Sequence, residues 1–161
     1  MRPSKDEYYL NIAEAVLQRS TCLRRKYGAV IVKDDEIIAT GYNGSPRGQR
    51  NCCDIGFCYR KQANIPHGEK YETCCGVHAE MNAIISASRR DMIGATLYLA
   101  GREADGSIVP TTSPCIICER LIRNAGITAV VTRRNEWLIY RWEVKNECSV
   151  DEPMKIRVCP D

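Results

Sequence analysis

His78 is one of only two histidines in this chain of 161 residues, and it stands two residues before Glu80 in the stretch CCGVHAEMNAI, residues 74–84. At about 100° per residue, positions i and i+2 of a helix point to nearly opposite sides, so the two side chains share a target only if it lies just beyond a helix N-terminus. Cys115 and Cys118, in SPCIICERL, are three residues apart at the expected start of another helix. Their sulfurs therefore lie within about one turn and can converge on one ion, and a helix N-terminus favours thiolates over thiols. Taken alone, C-x-x-C equally describes a redox pair or two buried apolar residues, and His78 with Glu80 equally describes a cap and a first-turn acid. Brought together, His78, Cys115 and Cys118 make three zinc ligands with a fourth position open to water, the pattern of a catalytic rather than a structural site. Zinc lowers the pKa of its water from about 15.7 to about 7. Glu80, beside that water and not on the metal, is then the group that takes its proton and passes it to a substrate nitrogen.

The elements that must position these residues are read from periodicity. Ser4 and Glu7 have capping-box spacing, and Tyr9, Ile12, Ala13, Val16 and Leu17 recur at helical intervals, which predicts a first helix from about 5 to 19. GAVIVKDDEIIATGYNG reads as two strands joined at Asp34-Asp35. The following SPRGQRNCCDIGFCYRKQANIPHGEKYETCC has five cysteines and no period, an uncommonly long loop unless something such as a metal staples it. A helix is expected over 79–90, with Met81, Ile84, Ile85 and Ser88 on one side. ATLYLAG is a buried strand, READGSIVPTTS a loop with a short hairpin at Asp105-Gly106, PCIICERLIRNAG a helix opened by Pro114 and closed by Gly126, and ITAVVT a further buried strand. That order predicts a single domain built as a three-layer α/β/α sandwich with a mixed sheet, a core over about 5–132 and a tail over 133–161 with no recognisable motif.

Composition narrows the partners. Hydrophobic residues make up 44% and charged residues 27%, inside the globular range. A net charge of +3, with acids and bases interspersed, argues against a nucleic-acid partner and leaves anionic small molecules open. No apolar run approaches the roughly 20 residues of a membrane span, and the N-terminal stretch has no apolar h-region, so a cytoplasmic, soluble protein with no membrane partner is expected. In a reducing cytosol, ten cysteines argue for metal and not for disulfides.

His-Ala-Glu followed by Pro-Cys-Ile-Ile-Cys is the established H-x-E…P-C-x-x-C signature of zinc-dependent nucleobase deaminases, a known pattern and not a product of the spacing argument. Beyond it, RSTCLRRKYGAVIV, ATGYNGSPRG, NCCD, CCGVHAEMNAIISA, SPCIIC and LIRNAGI resemble, in that order, the deoxycytidylate (dCMP) deaminase family over roughly residues 17–132. The resemblance implies a cytidine-deaminase fold with a mixed five-stranded sheet, and hydrolysis of dCMP to dUMP and ammonia. It implies a homo-oligomer, commonly a hexamer, with dCTP activation and dTTP inhibition in many members. Carried over residue by residue, His78, Cys115 and Cys118 match the catalytic zinc ligands and Glu80 the proton shuttle. Asn43 matches the residue that holds the deoxyribose, and Ala79 a substrate-contacting position, while Arg24 and Arg25 are phosphate-contact candidates. Asn43 also fits a plain Asn-Gly turn. Cys22 and Cys52 correspond to ligands of a second, structural zinc in some members. Cys58 and Cys74 would complete a closed four-cysteine site, with Cys53, Cys75 and His67 as rivals. Cys148 and Cys159 have no assignment.

Two stretches depart from the family pattern. AGREADGSIVPTTS is inserted where simpler members connect almost directly, and RRNEWLIYRW has no clear counterpart of the family's phosphate-contacting tyrosine. The competing readings are a deaminase of cytosine, cytidine, guanine or tRNA adenosine on the same fold, a non-catalytic zinc-stapled module that leaves Glu80 without a purpose, and a C-x-x-C redox protein that leaves His78 unused.

Overall fold

The computed structural model describes residues 2–144. Five strands form one mixed sheet in the order β2-β1-β3-β4-β5, with β1 at Arg25–Lys33, β2 at Glu36–Tyr42, β3 at Thr96–Glu103, β4 at Ala129–Arg133 and β5 at Ile139–Glu143. Only β3 and β4 run parallel; the other neighbours are antiparallel. β1 and β2 join through Asp34 and Asp35, both at positive φ (49° and 69°), the backbone of the tight hairpin expected there.

Alternation along the strands sorts side chains into two cores. Val30, Val32, Tyr98, Ala100 and Val131 face α1, Lys5–Leu17, which buries Tyr9, Leu10, Ala13 and Leu17. Ala29, Ile31, Leu97, Leu99 and Val130 face the opposite layer, made of α4 at Ala79–Ile85, α5 at Arg89–Met92 and α6 at Ile116–Ala125. The long loop carries α2 at Cys52–Ile55, α3 at Tyr59–Gln62 and one 3-10 turn at Tyr71–Thr73. The three-layer α/β sandwich is therefore as expected. No helix among the described residues is long and apolar enough to cross a membrane.

One glycine lets each helical layer approach the hairpin. A Cβ on Gly28 would come within 2.3 Å of the Ala13 carbonyl of α1, and one on Gly41 within 2.3 Å of the Ala79 carbonyl and the Ala83 nitrogen of α4. Gly41 explains why α4 buries Ala79, Glu80 and Ala83 most deeply, while of the expected Met81–Ile84–Ile85 side Met81 and Ile84 are partly buried, Ile84 against the core. Against a bare backbone the small residues pack closest, and Ile85 is left 72% exposed.

Other element boundaries also differ from expectation. The helix expected over 79–90 is two: α4 ends at Ile85, where the Ser86 hydroxyl donates to the Asn82 carbonyl, and α5 begins after Ser88. Serine competes for backbone hydrogen bonds and so favours such ends. α1 stops at Leu17, and Pro114 lies outside α6, whose N-cap is Cys115. β3 runs to Glu103, where the chain turns at Asp105 and Gly106 and bridges back from Ile108 to Arg102, the short hairpin expected there. β5 lies in a stretch with no recognisable motif: its burial is mostly exposed, so no hydrophobic alternation announces it. Cys148 and Cys159 lie outside the described residues.

Candidate metal centre and cleft

The N-termini of α4 and α6 meet on one side of the sheet. His78 is the N-cap of α4, in extended backbone (φ −73°, ψ 155°), so it leaves the chain one residue before the helix while Glu80 sits in the first turn. Paired hydrogen bonds between Gly44 and Val77, of 3.1 and 2.8 Å, tie the residue preceding His78 to the chain leaving β2. Cys115 is the N-cap of α6, and its sulfur accepts from the Cys118 N–H at 3.5 Å. The spacing argument thus meets its geometric condition: both pairs act just beyond a helix start.

His78 Nδ1 lies 3.4 Å from the sulfur of Cys115 and 3.4 Å from that of Cys118. These three ligand atoms all lie within 4.8 Å of one another, the only such group of three among the described residues. One imidazole nitrogen and two sulfurs are a fitting donor set for zinc in a three-ligand site. The two sulfurs are shifted in opposite directions. The Cys118 hydrogen bond, with help from His78, brings Cys115 down to about 4, while Cys118 is pushed up by that same bond, by burial and by Glu80. The bond to Cys115 likewise raises His78. A cation among them would favour both thiolates.

Glu80 is only 5% exposed and hydrogen-bonds Cys118. Burial pushes its carboxyl up to about 7, against the lowering effect of its own backbone N–H and of His78. A carboxyl poised near neutrality suits a group that both accepts and returns a proton.

Above this group a cleft opens to solvent, lined by residues of the loop, β1 and α4. Asn43, Ala79, Arg24 and Arg25 all line it. The Asn43 side chain is largely committed to the protein: Oδ1 accepts from Tyr27 N–H at 2.8 Å and Ser20 Oγ at 2.6 Å, and Nδ2 donates to the Arg25 carbonyl at 2.9 Å. It therefore orders the start of β1 as well as facing the cleft. Ala79 is fully buried at the first position of α4. Arg25 is held by Glu103 through two bonds of 3.0 and 2.8 Å. Arg24 has no carboxylate partner among the described residues.

Cys22, Cys52, Cys58, Cys74 and His67 line the same cleft but are not gathered into a group of three within 4.8 Å. The sulfur of Cys52 is 4.0 Å from that of Cys75. Cys22 accepts from Arg24 N–H and Cys74 from Gly76 N–H, both at 3.4 Å. Cys53 is exposed, its sulfur directed at Asp54.

Sequence reasoning passed over two residues on the cleft wall, Arg60 and Tyr71, and one that holds a wall residue, Glu103. Arg60 and Tyr71 lie in the loop that shows no period, where an arginine that becomes buried has no signal in spacing. Glu103 lies in the inserted stretch, and its only signal was that insertion.

Residues 3–133 match the family model of the cytidine and deoxycytidylate deaminase zinc-binding region. Deoxycytidylate deaminase of Mycobacterium phage D29 is 43% identical over 135 residues, covering 81% of this chain and 94% of its own. Deoxycytidylate deaminase of Saccharomyces cerevisiae is 41% identical over 133 residues, and this chain spans only 38% of it. The crystal structure of dCMP deaminase from cyanophage S-TIM5 in complex with dCMP and dUMP superposes with a TM-score of 0.55 at 30% identity, covering 82% of each chain. The meeting of His78, Cys115 and Cys118 beside a buried Glu80, over a fold and a sequence shared in this way, makes the chain a member of the cytidine and deoxycytidylate deaminase zinc-binding family.

Proposed function

We propose that this chain is a zinc-dependent hydrolase that converts dCMP and water to dUMP and ammonia. One observation carries the reading: a fully buried carboxyl, Glu80, beside one nitrogen and two sulfur donors at the floor of an open cleft, in a family member 43% identical to a phage deoxycytidylate deaminase. His78, Cys115 and Cys118 would hold the zinc. When bound, zinc supplies an acidified water as nucleophile for the ring carbon that carries the amine. Glu80 accepts one proton of that water on a carboxylate oxygen and gives it to the ring nitrogen, then accepts the second from the hydroxyl now on the ring carbon and gives it to the departing amine as the C–N bond breaks. The residue carries two protons in turn, which is why its carboxyl must charge and discharge easily.

Asn43 and the Ala79 backbone orient the nucleoside, and Arg24 meets the phosphate as a guanidinium free of carboxylates. Arg25, committed to Glu103, shapes the cleft and makes the weaker phosphate contact. A second, structural zinc is part of the same reading. Cys22 and Cys74 each accept a backbone N–H two residues on, and Cys52 and Cys58 line the same cleft. A homo-oligomer is supported by Ile116, Ile117 and Leu121, which stand 36–43% exposed on α6.

The test is ammonia release from a panel of dCMP, CMP, deoxycytidine, cytosine and adenosine, with wild type and Glu80→Gln. Turnover of dCMP is expected to be highest and to fall about a thousandfold in the variant, within the range for a lost proton carrier. Activity that survives Glu80→Gln would refute the mechanism, and activity confined to an unphosphorylated base would refute the substrate.

A further inference from the structure

We propose that Tyr71 and Arg60 are positioning residues that fix the orientation of the His78 imidazole; this rests on the zinc reading above. His78 directs Nδ1 at both sulfurs, so the remainder of its ring needs a second support to hold that direction. The Tyr71 ring provides one. It stands edge-on to the imidazole, with centroids 5.1 Å apart and planes at 69°, a favoured aromatic arrangement.

Tyr71 itself begins a three-residue 3-10 turn inside the long loop, where no hydrophobic period packs it down. Arg60 holds it there. Only 5% exposed, Arg60 donates from Nη1 to the Lys70 carbonyl and to Thr73 Oγ1 (3.2 Å), and from Nη2 to the Pro66 carbonyl at 3.0 Å. Its guanidinium carbon lies 5.6 Å from the centre of the Tyr71 ring. The fork thus grips the residue before Tyr71 and the last residue of its turn while its cationic face covers the ring between them. Among the described residues no carboxylate pairs with Arg60, so a desolvated charge is spent wholly on the shape of this turn. An apolar residue of similar size could fill the space but could not satisfy three acceptors, and lysine lacks the planar fork. The chain of support runs from Arg60 through Tyr71 to His78.

The experiment compares wild type with Tyr71→Leu, Tyr71→Phe and Arg60→Lys. It reads dCMP kinetics, the rate of zinc release to a chromogenic chelator, and the visible absorption of the cobalt-substituted protein. Tyr71→Leu is expected to release zinc about tenfold faster and to lower kcat about tenfold with KM within twofold, the scale seen when a support behind a metal ligand is lost. Its cobalt bands should shift as the imidazole turns. Tyr71→Phe, which keeps the ring, should lie nearer wild type than Tyr71→Leu in zinc release and cobalt bands, and Arg60→Lys should fall between Tyr71→Leu and wild type. Tyr71→Leu with wild-type zinc release and cobalt bands would overturn the proposal, as would a change in KM alone. A wild-type chain that holds no tightly bound zinc would instead overturn the functional reading, and this inference with it. Tyr71 is partly exposed, so its variants should fold, and unchanged melting curves verify that the kinetic readouts compare like with like.

Discussion

The cysteines of the α4–α6 seam and those of the long loop meet the same cleft but are organised in opposite ways. At the seam, His78, Cys115 and Cys118 are carried by two helix N-termini that the sheet holds in place, and their ligand atoms lie within 4.8 Å of one another. In the loop, Cys52 and Cys58 are carried by short four-residue helices or their edges, and only the Cys52–Cys75 pair comes close, at 4.0 Å. Packing of apolar faces preassembles the first site. For the second, an ion would contribute folding free energy that the loop's sparse core does not supply. The lesson is that similar residues are brought together in one place by packed elements and in the other left to a loop with little core of its own.

That contrast can be broken at its strongest point first. Cys118→Ser should abolish dCMP turnover, by about a thousandfold or more, because several kcal/mol of transition-state stabilisation leave with the metal. The melting temperature should move little, since sheet and helices stay packed. A large fall in melting temperature would show that the seam is not preassembled. Cys22→Ser should do the reverse: elemental analysis is expected to drop from about two zinc ions per chain to about one. Melting should fall by roughly 10 °C, if the lost ion is worth several kcal/mol at 2–4 °C each. Finding about one zinc in both proteins, with equal melting curves, would remove the structural site. The smallest effect separates the two helical layers. Gly28→Ala and Gly41→Ala both drive a Cβ to 2.3 Å from helix backbone and should each cost about 1–3 kcal/mol. Only Gly41→Ala displaces the helix bearing Glu80, so only it should lower kcat at temperatures where both variants stay folded.

Much of this was legible from residue types. The capping serine of α1, the Asp34-Asp35 hairpin and the αL glycine closing α6 each state a local rule that the fold obeys. The metal donors were legible because a metal constrains residue type and spacing together. Three things were not. The buried side of α4 is set by Gly41 on another element, and periodicity within a helix cannot report a partner's missing side chain. β5 is placed by hydrogen bonds to β4, with only Ile139 and Trp142 packing partly against the cores, too little to announce a strand in the sequence. The grip of Arg60 on its loop depends on three acceptors between residues 66 and 73, which become neighbours only when the loop is folded.

Asn43 carries a consequence for what the cleft can tell apart. A primary amide offers two acceptor sites and two donor hydrogens. Tyr27 and Ser20 occupy the oxygen, and the Arg25 carbonyl takes one hydrogen, which also fixes which end of the amide is nitrogen. Among the described residues, one N–H is left. If Asn43 meets the substrate as proposed, it does so as a lone donor: an oxygen with a free lone pair would be accepted there, and a group that presents only hydrogen would leave both partners unsatisfied.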